Sequence, residues 1–257
     1  MLISAEWLIR FWGVQPKGVV HVGAHLAEES PSYIKHNFGP CVWVEANPRL
    51  IPFLEEKLKK TDDFVIESAI WEESGRKLDL NIANNSLSTS LFEFGLHSEK
   101  YPSVKTSEII SVTTKRLDEV LPKNFLFNFV NLDIQGAELS ALKSLGSRIN
   151  EVDYIFTEVN KRELYKSAPT VKQLDDFLFK EGFKRVVTCW VPLAGWGDAF
   201  YVRASLKSNN FVLRSLGTVA TKNFHIRYVA KKIIQYTYRI PRGYLINKVS
   251  MKIRRNG

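Results

Sequence analysis

Two carboxylates stand where long apolar runs stop. Residues 125–132 form the most apolar run of the chain and lead into Asp133-Ile134-Gln135-Gly136-Ala137-Glu138, and residues 152–159 carry Glu158 at their end. A carboxyl with buried flanks has a perturbed pKa and is a candidate general base or metal ligand. Ligands of open α/β sheets bind outside the carboxyl ends of the strands. Asp133 and Glu158 are therefore candidate catalytic groups facing one crevice, with Asp133 the first choice of base. A competing role for Asp133 is to cap the helix beginning near Gly136. Glu138 falls in the first turn of that helix, where a negative charge is favourable in any case. Gln135 occupies the place where a third acid would help bind Mg²⁺, so no metal is expected. His25 is the third candidate base; it and His21 flank Gly23, and either could instead be a donor to a ligand carboxylate or a structural histidine.

A further acid, Glu45, ends the apolar run at 42–45, close to the spacing of about 20 residues at which a ribose-binding acid follows a glycine turn. The turn itself, Gly23-Ala24-His25-Leu26-Ala27, is not G-x-G-x-x-G. A dinucleotide pyrophosphate needs close backbone approach at several positions, and only Gly23 provides it. S-adenosylmethionine carries no phosphate and makes no such demand, so it is the expected cofactor. The residues expected to bind it are His21, Gly23, Ala24 and His25 from the first turn, and Glu45, Ala46 and Asn47 from the second. Ser68 and Ala69, ending the third strand, are expected to face the adenine, and Asp133 completes the set. Asn47 also suits an N-cap, with Pro48 at the first helical position.

These groups need a sheet to hold them. Apolar runs at 18–22, 42–45, 63–70, 125–132, 152–159, 183–191 and 198–203 read as strands. Patterns at 28–37, 47–60, 136–145 and 170–181 read as helices between them. Such alternation implies a doubly wound, mostly parallel seven-stranded α/β sheet with a C-terminal antiparallel hairpin. Residues 77–82 and 109–113 alternate like strands of an insertion. Between them, 84–97 includes Asn84-Asn85-Ser86-Leu87-Ser88-Thr89-Ser90, a cluster of short hydrogen-bonding side chains that suits a turn or a substrate loop. His97 lies in the same loop. A short helix is expected at 117–121.

The chain has 257 residues and a net charge of +9. The charge is uneven: residues 205–257 hold twelve Lys or Arg and no acid, leaving 24 basic against 27 acidic residues in 1–204. Three segments follow: 1–17, with an amphipathic helix; 18–204, the α/β domain; and 205–257, a basic helical extension. In the extension Ile226, Val229, Ala230, Ile233 and Ile234 form an apolar stripe beside Arg227, Lys231 and Lys232. Such a helix can dock on its own domain or on a second subunit, or lie on a membrane surface; specific nucleic-acid modules are missing. Cys41 and Cys189 sit in apolar runs and read as buried reduced thiols. With neither a signal-peptide pattern nor a long apolar run, a cytoplasmic protein is expected, with peripheral membrane contact through the extension as one alternative.

The stretches VVHVGAHLAEE, VWVEANP, NNSLSTSL, NFVNLDIQGAELSALKSL, IFTEVNKRELY and GWGDAFYVR together resemble the FkbM-type S-adenosylmethionine-dependent methyltransferases over about residues 18–203. The resemblance implies a Rossmann-like methyltransferase fold and O-methylation of a glycan, glycolipid or small-metabolite hydroxyl. It places Gly23 and its neighbours at the methionine part of the cofactor, Glu45 at the ribose and Asp133 near the transferring methyl. His21 stands where methyltransferases often carry an acid, Ala27 where a second glycine is common, and Gln135 where many relatives carry Glu. The competing functions are a nucleic-acid 2′-hydroxyl methyltransferase and a non-catalytic scaffold of the same fold. Amine methylation is disfavoured, because no Pro-Pro occurs anywhere in the chain.

Overall fold

A computed structural model of the chain describes residues 2–206. The apolar stripe and most of the basic extension therefore lie outside the described residues.

The chain opens on helix α1 (Ala5–Trp12), whose N-cap Ser4 Oγ accepts from the Trp7 amide at 3.2 Å. Strand β1 (Val19–Val22), helix α2 (Ser30–Lys35), strand β2 (Cys41–Glu45), helix α3 (Ile51–Leu58) and strand β3 (Phe64–Glu67) follow. An insertion comes next: β4 (Ala69–Ile70), β5 (Lys77–Ala83), a 3₁₀ turn (Ser86–Ser88), α4 (Leu96–Lys100) and β6 (Thr106–Lys115). The domain closes with α5 (Leu117–Val120), β7 (Phe129–Leu132), α6 (Glu138–Lys143), β8 (Tyr154–Asn160), α7 (Val171–Lys180), β9 (Phe183–Trp190) and β10 (Trp196–Arg203).

Seven strands form one sheet in the order β3-β2-β1-β7-β8-β10-β9. Strands β3, β2, β1, β7 and β8 pair in parallel, and β10 runs antiparallel to both β8 and β9. Strand order reverses between β1 and β7, the switch point at which such sheets bind ligands. Strands β1, β2, β7 and β8 are buried along their whole length, as parallel strands covered on both faces must be. On one face Val20, Val22, Val130 and Ile155 pack with Leu142 of α6 and Leu174 of α7. On the other, Val19, Trp43, Phe129 and Phe200 pack with Leu8 of α1, Tyr33 of α2 and Leu54 of α3. The three-stranded sheet β4-β6-β5 lies apart.

Several elements differ from the sequence expectation. The run at 63–70 is split: the Ser68 amide donates to the Glu45 carbonyl at 2.9 Å, and Ala69-Ile70 then pair with β6 in the second sheet. Asn47-Pro48 does not start a helix. Asn47 Oδ1 accepts from the Arg49 amide at 3.1 Å in a local turn, and α3 begins at Ile51 with its proline one position later. Strand β7 starts only at Phe129, because Leu126 is 74% exposed in the approach and Asn128 is spent tying the Lys17 amide and the Gln15 carbonyl. Thr170 does cap α7, its amide donating to Gln173 Oε1 at 2.8 Å in a capping box. Both cysteines are free and buried, and burial pushes both thiols up, Cys189 to about 11. Among the described residues no helix is long and apolar enough to cross a membrane.

Candidate active site

The first βα turn is clamped between its two neighbours. The Gly23 and Ala24 amides both donate to the Val44 carbonyl of β2, at 2.9 and 3.0 Å, and the Asp133 amide after β7 donates to the Val22 carbonyl at 3.0 Å. Gly23 has φ +86°, and a Cβ there would stand 2.0 Å from the Asp133 carbonyl oxygen. The glycine is thus demanded by an approaching backbone. His25 and Ala27 take the left-handed conformation without being glycine, at φ 46° and 48°, a strain of about 1–3 kcal/mol each. Ala27 therefore adopts the backbone that a second glycine would adopt. Lys57 Nζ fastens this bend by donating to the Ala27 carbonyl at 2.8 Å.

Glu45 joins the first turn to the second. Its carboxylate accepts from the His25 amide and from the Asn47 amide, both at 2.8 Å. Burial pushes its pKa up against those two bonds. A cleft of about 700 Å³, open to solvent, runs from this carboxylate along the ends of β1, β2 and β7. Gly23, His25, Ala46, Asn47, Ser68 and Asp133 all line it. Its apolar wall comes from Val44, Ile70, Leu80, Leu91 and Ile134. Ser68 Oγ is buried with no partner among the described residues, an acceptor or donor left for a ligand. The mixed lining, polar at one end and apolar along one wall, suits a nucleoside-bearing molecule.

Three residues expected to bind the cofactor do not line the cleft, nor does the candidate base Glu158. His21 points to the α1–α2 side of the sheet, stacked on Trp43 at 4.7 Å. Its Nδ1 lies 3.3 Å from the Tyr33 hydroxyl and from Asn131 Nδ2. Burial lowers its pKa to about 4, so it is a neutral structural group. Ala24 is buried in the same layer, and Ala69 is buried in β4, where its neighbour Ile70 reaches the cleft instead. His97 is buried on an aromatic cluster, stacked on Phe94 at 4.7 Å.

The serine-rich loop folds over the cleft, contributing Ser86, Leu87, Thr89, Ser90 and Leu91 to its lining. Two bonds bolt it down. His25 Nε2 meets Ser86 Oγ at 2.8 Å while its Nδ1 meets Glu28 Oε1 at 2.6 Å, and Ser90 Oγ donates to the Gln135 carbonyl at 2.7 Å. With both ring nitrogens engaged, His25 is a fastener of the loop.

Past Asp133 the carboxylates cluster. Asp133 is exposed within the cleft, whereas Glu138, Glu158 and Asp198 are buried. Glu138 accepts from the Gly136 and Ile134 amides at 3.0 and 3.2 Å, and burial still pushes it up to about 7. Glu158 is raised well above the usual range by burial, with Asp133, Glu138 and Asp198 adding to it. Gln135 lies between Asp133 and Glu158, and Tyr165 donates to it. Sequence reasoning passed over Tyr165 and gave Gln135 only a negative role. Their juxtaposition with Asp133 depends on a loop thirty residues away in sequence. Among the described residues, no three His, Cys, Asp or Glu are placed to hold a metal ion.

The cluster has a measurable signature. Burial raises Asp198 from 3.8 to about 7. Between those values the folded chain binds more protons at this site than the unfolded chain, so stability falls as pH rises through that window and levels off above it. His21, lowered from 6.5 to about 4, works the other way. Asp198→Asn isolates the first contribution. Relative to wild type the variant should gain stability as pH rises, by on the order of 1–3 kcal/mol at pH about 8. Urea denaturation across pH about 5 to 8 reads this; a difference independent of pH contradicts it.

Sheet order, switch-point cleft and antiparallel β10 define the class: a Rossmann-like methyltransferase domain. The family description Methyltransferase FkbM domain matches residues 21–185, and the chain belongs to that family. S-adenosylmethionine is its cofactor, and the unpartnered Ser68 hydroxyl and apolar wall of the cleft fit that molecule. A curated relative, the 2-O-methyltransferase NoeI of Sinorhizobium fredii (strain NBRC 101917 / NGR234), is 27% identical over 144 residues, 52% of this chain. The match spans 59% of the length of that relative. Similar solved structures include the magnesium protoporphyrin IX methyltransferase ChlM from Synechocystis PCC 6803 with bound SAM, at 10% identity, 77% and 75% coverage and TM-score 0.44. M. capricolum TrmK in complex with S-adenosyl-homocysteine is also similar, at 10% identity, 100% and 96% coverage and TM-score 0.44.

Proposed function

We propose that this methyltransferase acts on a hydroxyl of a glycan, glycolipid or small metabolite, with Asp133 as general base. Bound in the cleft, S-adenosylmethionine supplies an electrophilic sulfonium methyl. In this reading Gly23 and His25 shape the methionine end of the cleft, Glu45 with Ala46 and Asn47 receives the ribose, and Ser68 meets the adenine. The observation that carries the assignment is the exposure of Asp133. It opens into the cleft while Glu138, Glu158 and Asp198 are buried. A reachable carboxylate can take the proton of an alcohol; carboxyls that do not line the cleft cannot. Such help is worth about 10²–10⁴-fold, and orientation of the hydroxyl supplies much of the rest. The 2-O-methyltransferase named among the relatives supports methylation at an oxygen.

The test is release of S-adenosylhomocysteine with a panel of mono- and oligosaccharides, lipid-linked sugars, small alcohols, RNA and primary amines. Turnover confined to the hydroxyl compounds other than RNA is expected. Turnover on RNA or amines alone would overturn the assignment.

A further inference from the structure

We propose that Gln135 is a positioning residue that holds one carboxylate oxygen of Asp133 and leaves the other facing the cleft. This deepens the reading of Asp133 as base and rests on it. The Gln135 carboxamide has two N–H donors and one acceptor oxygen, and all three are used. Nε2 donates to Asp133 Oδ1 at 2.7 Å and to Glu158 Oε2 at 3.2 Å, while Oε1 accepts from the Tyr165 hydroxyl at 2.5 Å. The reversed amide would turn an oxygen toward two carboxyl groups, so chemistry fixes its direction. Tyr165 is 1% exposed and anchors the far end in the protein interior.

The backbone is fixed as well. Gln135 sits at φ 53°, a conformation that favours glycine, and Gly136 follows at φ 113°. The Gln135 carbonyl accepts from Ser90 Oγ at 2.7 Å, so the loop over the cleft and the grip on Asp133 share one residue. A side chain retained at a left-handed position points to a use for that side chain.

The surroundings show what the use is. Among the described residues, the charged and titratable groups facing Asp133 are Glu158 from β8, Asp198 from β10, Glu138 from α6, Glu29 and His25 from the β1–α2 connection, and Tyr165 beyond Gln135. Burial favours a proton on Asp133, and the Glu29 carboxylate adds to that. The short bond from Gln135 favours the ionised form. It is shorter to Asp133 than to Glu158, so the amide selects Asp133 as the carboxylate that stays charged. Glutamate at this position would remove both donors and add another acid.

The test uses the full-length chain without ligand. Carbon-13 NMR titration of the aspartate carboxyls, with Asp133 assigned through Asp133→Asn, is compared in wild type, Gln135→Leu, Gln135→Glu and Tyr165→Phe. The Asp133 midpoint should rise by about one pH unit in Gln135→Leu, by more in Gln135→Glu, and by less in Tyr165→Phe. Should the leucine variant fail to fold, the near-isosteric Gln135→Glu and the distal Tyr165→Phe carry the comparison. An Asp133 midpoint unchanged in the folded variants overturns the proposal, whatever their activity. A midpoint that shifts as expected, with Asp133→Asn retaining full turnover, would instead remove Asp133 as base and leave its grip by Gln135 standing. With the acceptor in hand, Gln135→Leu should lower kcat and move its acid limb in the same direction, with S-adenosylhomocysteine affinity held within a few-fold. A purely structural role would not move that limb.

Discussion

Asp133→Asn should lower kcat by about 10²–10⁴-fold, the usual worth of a general base, and leave S-adenosylhomocysteine affinity within about threefold of wild type. The substitution is mild structurally. Asparagine keeps an oxygen that can accept from Gln135 Nε2, and the Asp133 amide bond to the Val22 carbonyl is untouched. What is lost is the ability to accept a proton. Glu158→Gln is the informative companion. Burial raises the Glu158 pKa well above the usual range, and Asp133, Glu138 and Asp198 add to it, so its protonated form is favoured. Glutamine resembles that protonated form, and turnover should stay within about tenfold. If Glu158→Gln is the crippled variant and Asp133→Asn retains turnover, the base has been assigned to the wrong strand end.

Gly23→Ala should be the most destabilising single-methyl addition in the cleft. The new Cβ would lie 2.0 Å from the Asp133 carbonyl oxygen and 3.0 Å from Ile134 Cγ2, at φ +86°. Relief requires β1 and β7 to part at the point where the Asp133 amide is bonded to Val22. A loss of about 3 kcal/mol or more is expected, a large share of the roughly 5–15 kcal/mol that holds a domain folded. Gly13→Ala is the control. Gly13 also has positive φ, at +61°, yet an added Cβ meets nothing within 4 Å, so the cost should be only the conformational one of about 1 kcal/mol. Chemical denaturation of both variants separates the crowding from the backbone preference. Equal losses would contradict the close approach of the two turns.

The main frame of the domain is legible in the chain because parallel strands buried on both faces leave long apolar runs, as 42–45 and 152–159 do. Asp133, Glu45 and Gly23 are legible because each interrupts such a run with a residue that has no reason to be in a core. The remaining parts of the site depend on contacts between distant elements. His21 occupies a strand position whose face is decided by pairing, and Trp43, Tyr33 and Asn131 enclose it on the side away from the cleft. His25 and Ala27 conceal a left-handed turn behind residue types that do not announce one. Gln135 reads in sequence as a lost acid, and becomes a clamp only when Tyr165 and Ser90 arrive from either side. Ser68 marks the change from one sheet to another; Glu67-Ser68 interrupt the apolar pattern at 63–70 there, but a polar pair alone does not say that the next residues pair with a different sheet.

Transfer of the cofactor methyl to an alcohol oxygen can be followed with S-adenosylmethionine labelled with carbon-13 at the transferring methyl, incubated with the saccharide acceptor that turns over fastest. Proton–carbon correlation spectra of the product then locate the label. The expected product is an O-methyl ether whose methyl protons couple to a carbinol carbon of the acceptor, and the signal is expected to be lost with Asp133→Asn. A label found on nitrogen or carbon, or an O-methyl product formed equally well by Asp133→Asn, would contradict O-methylation with Asp133 as base.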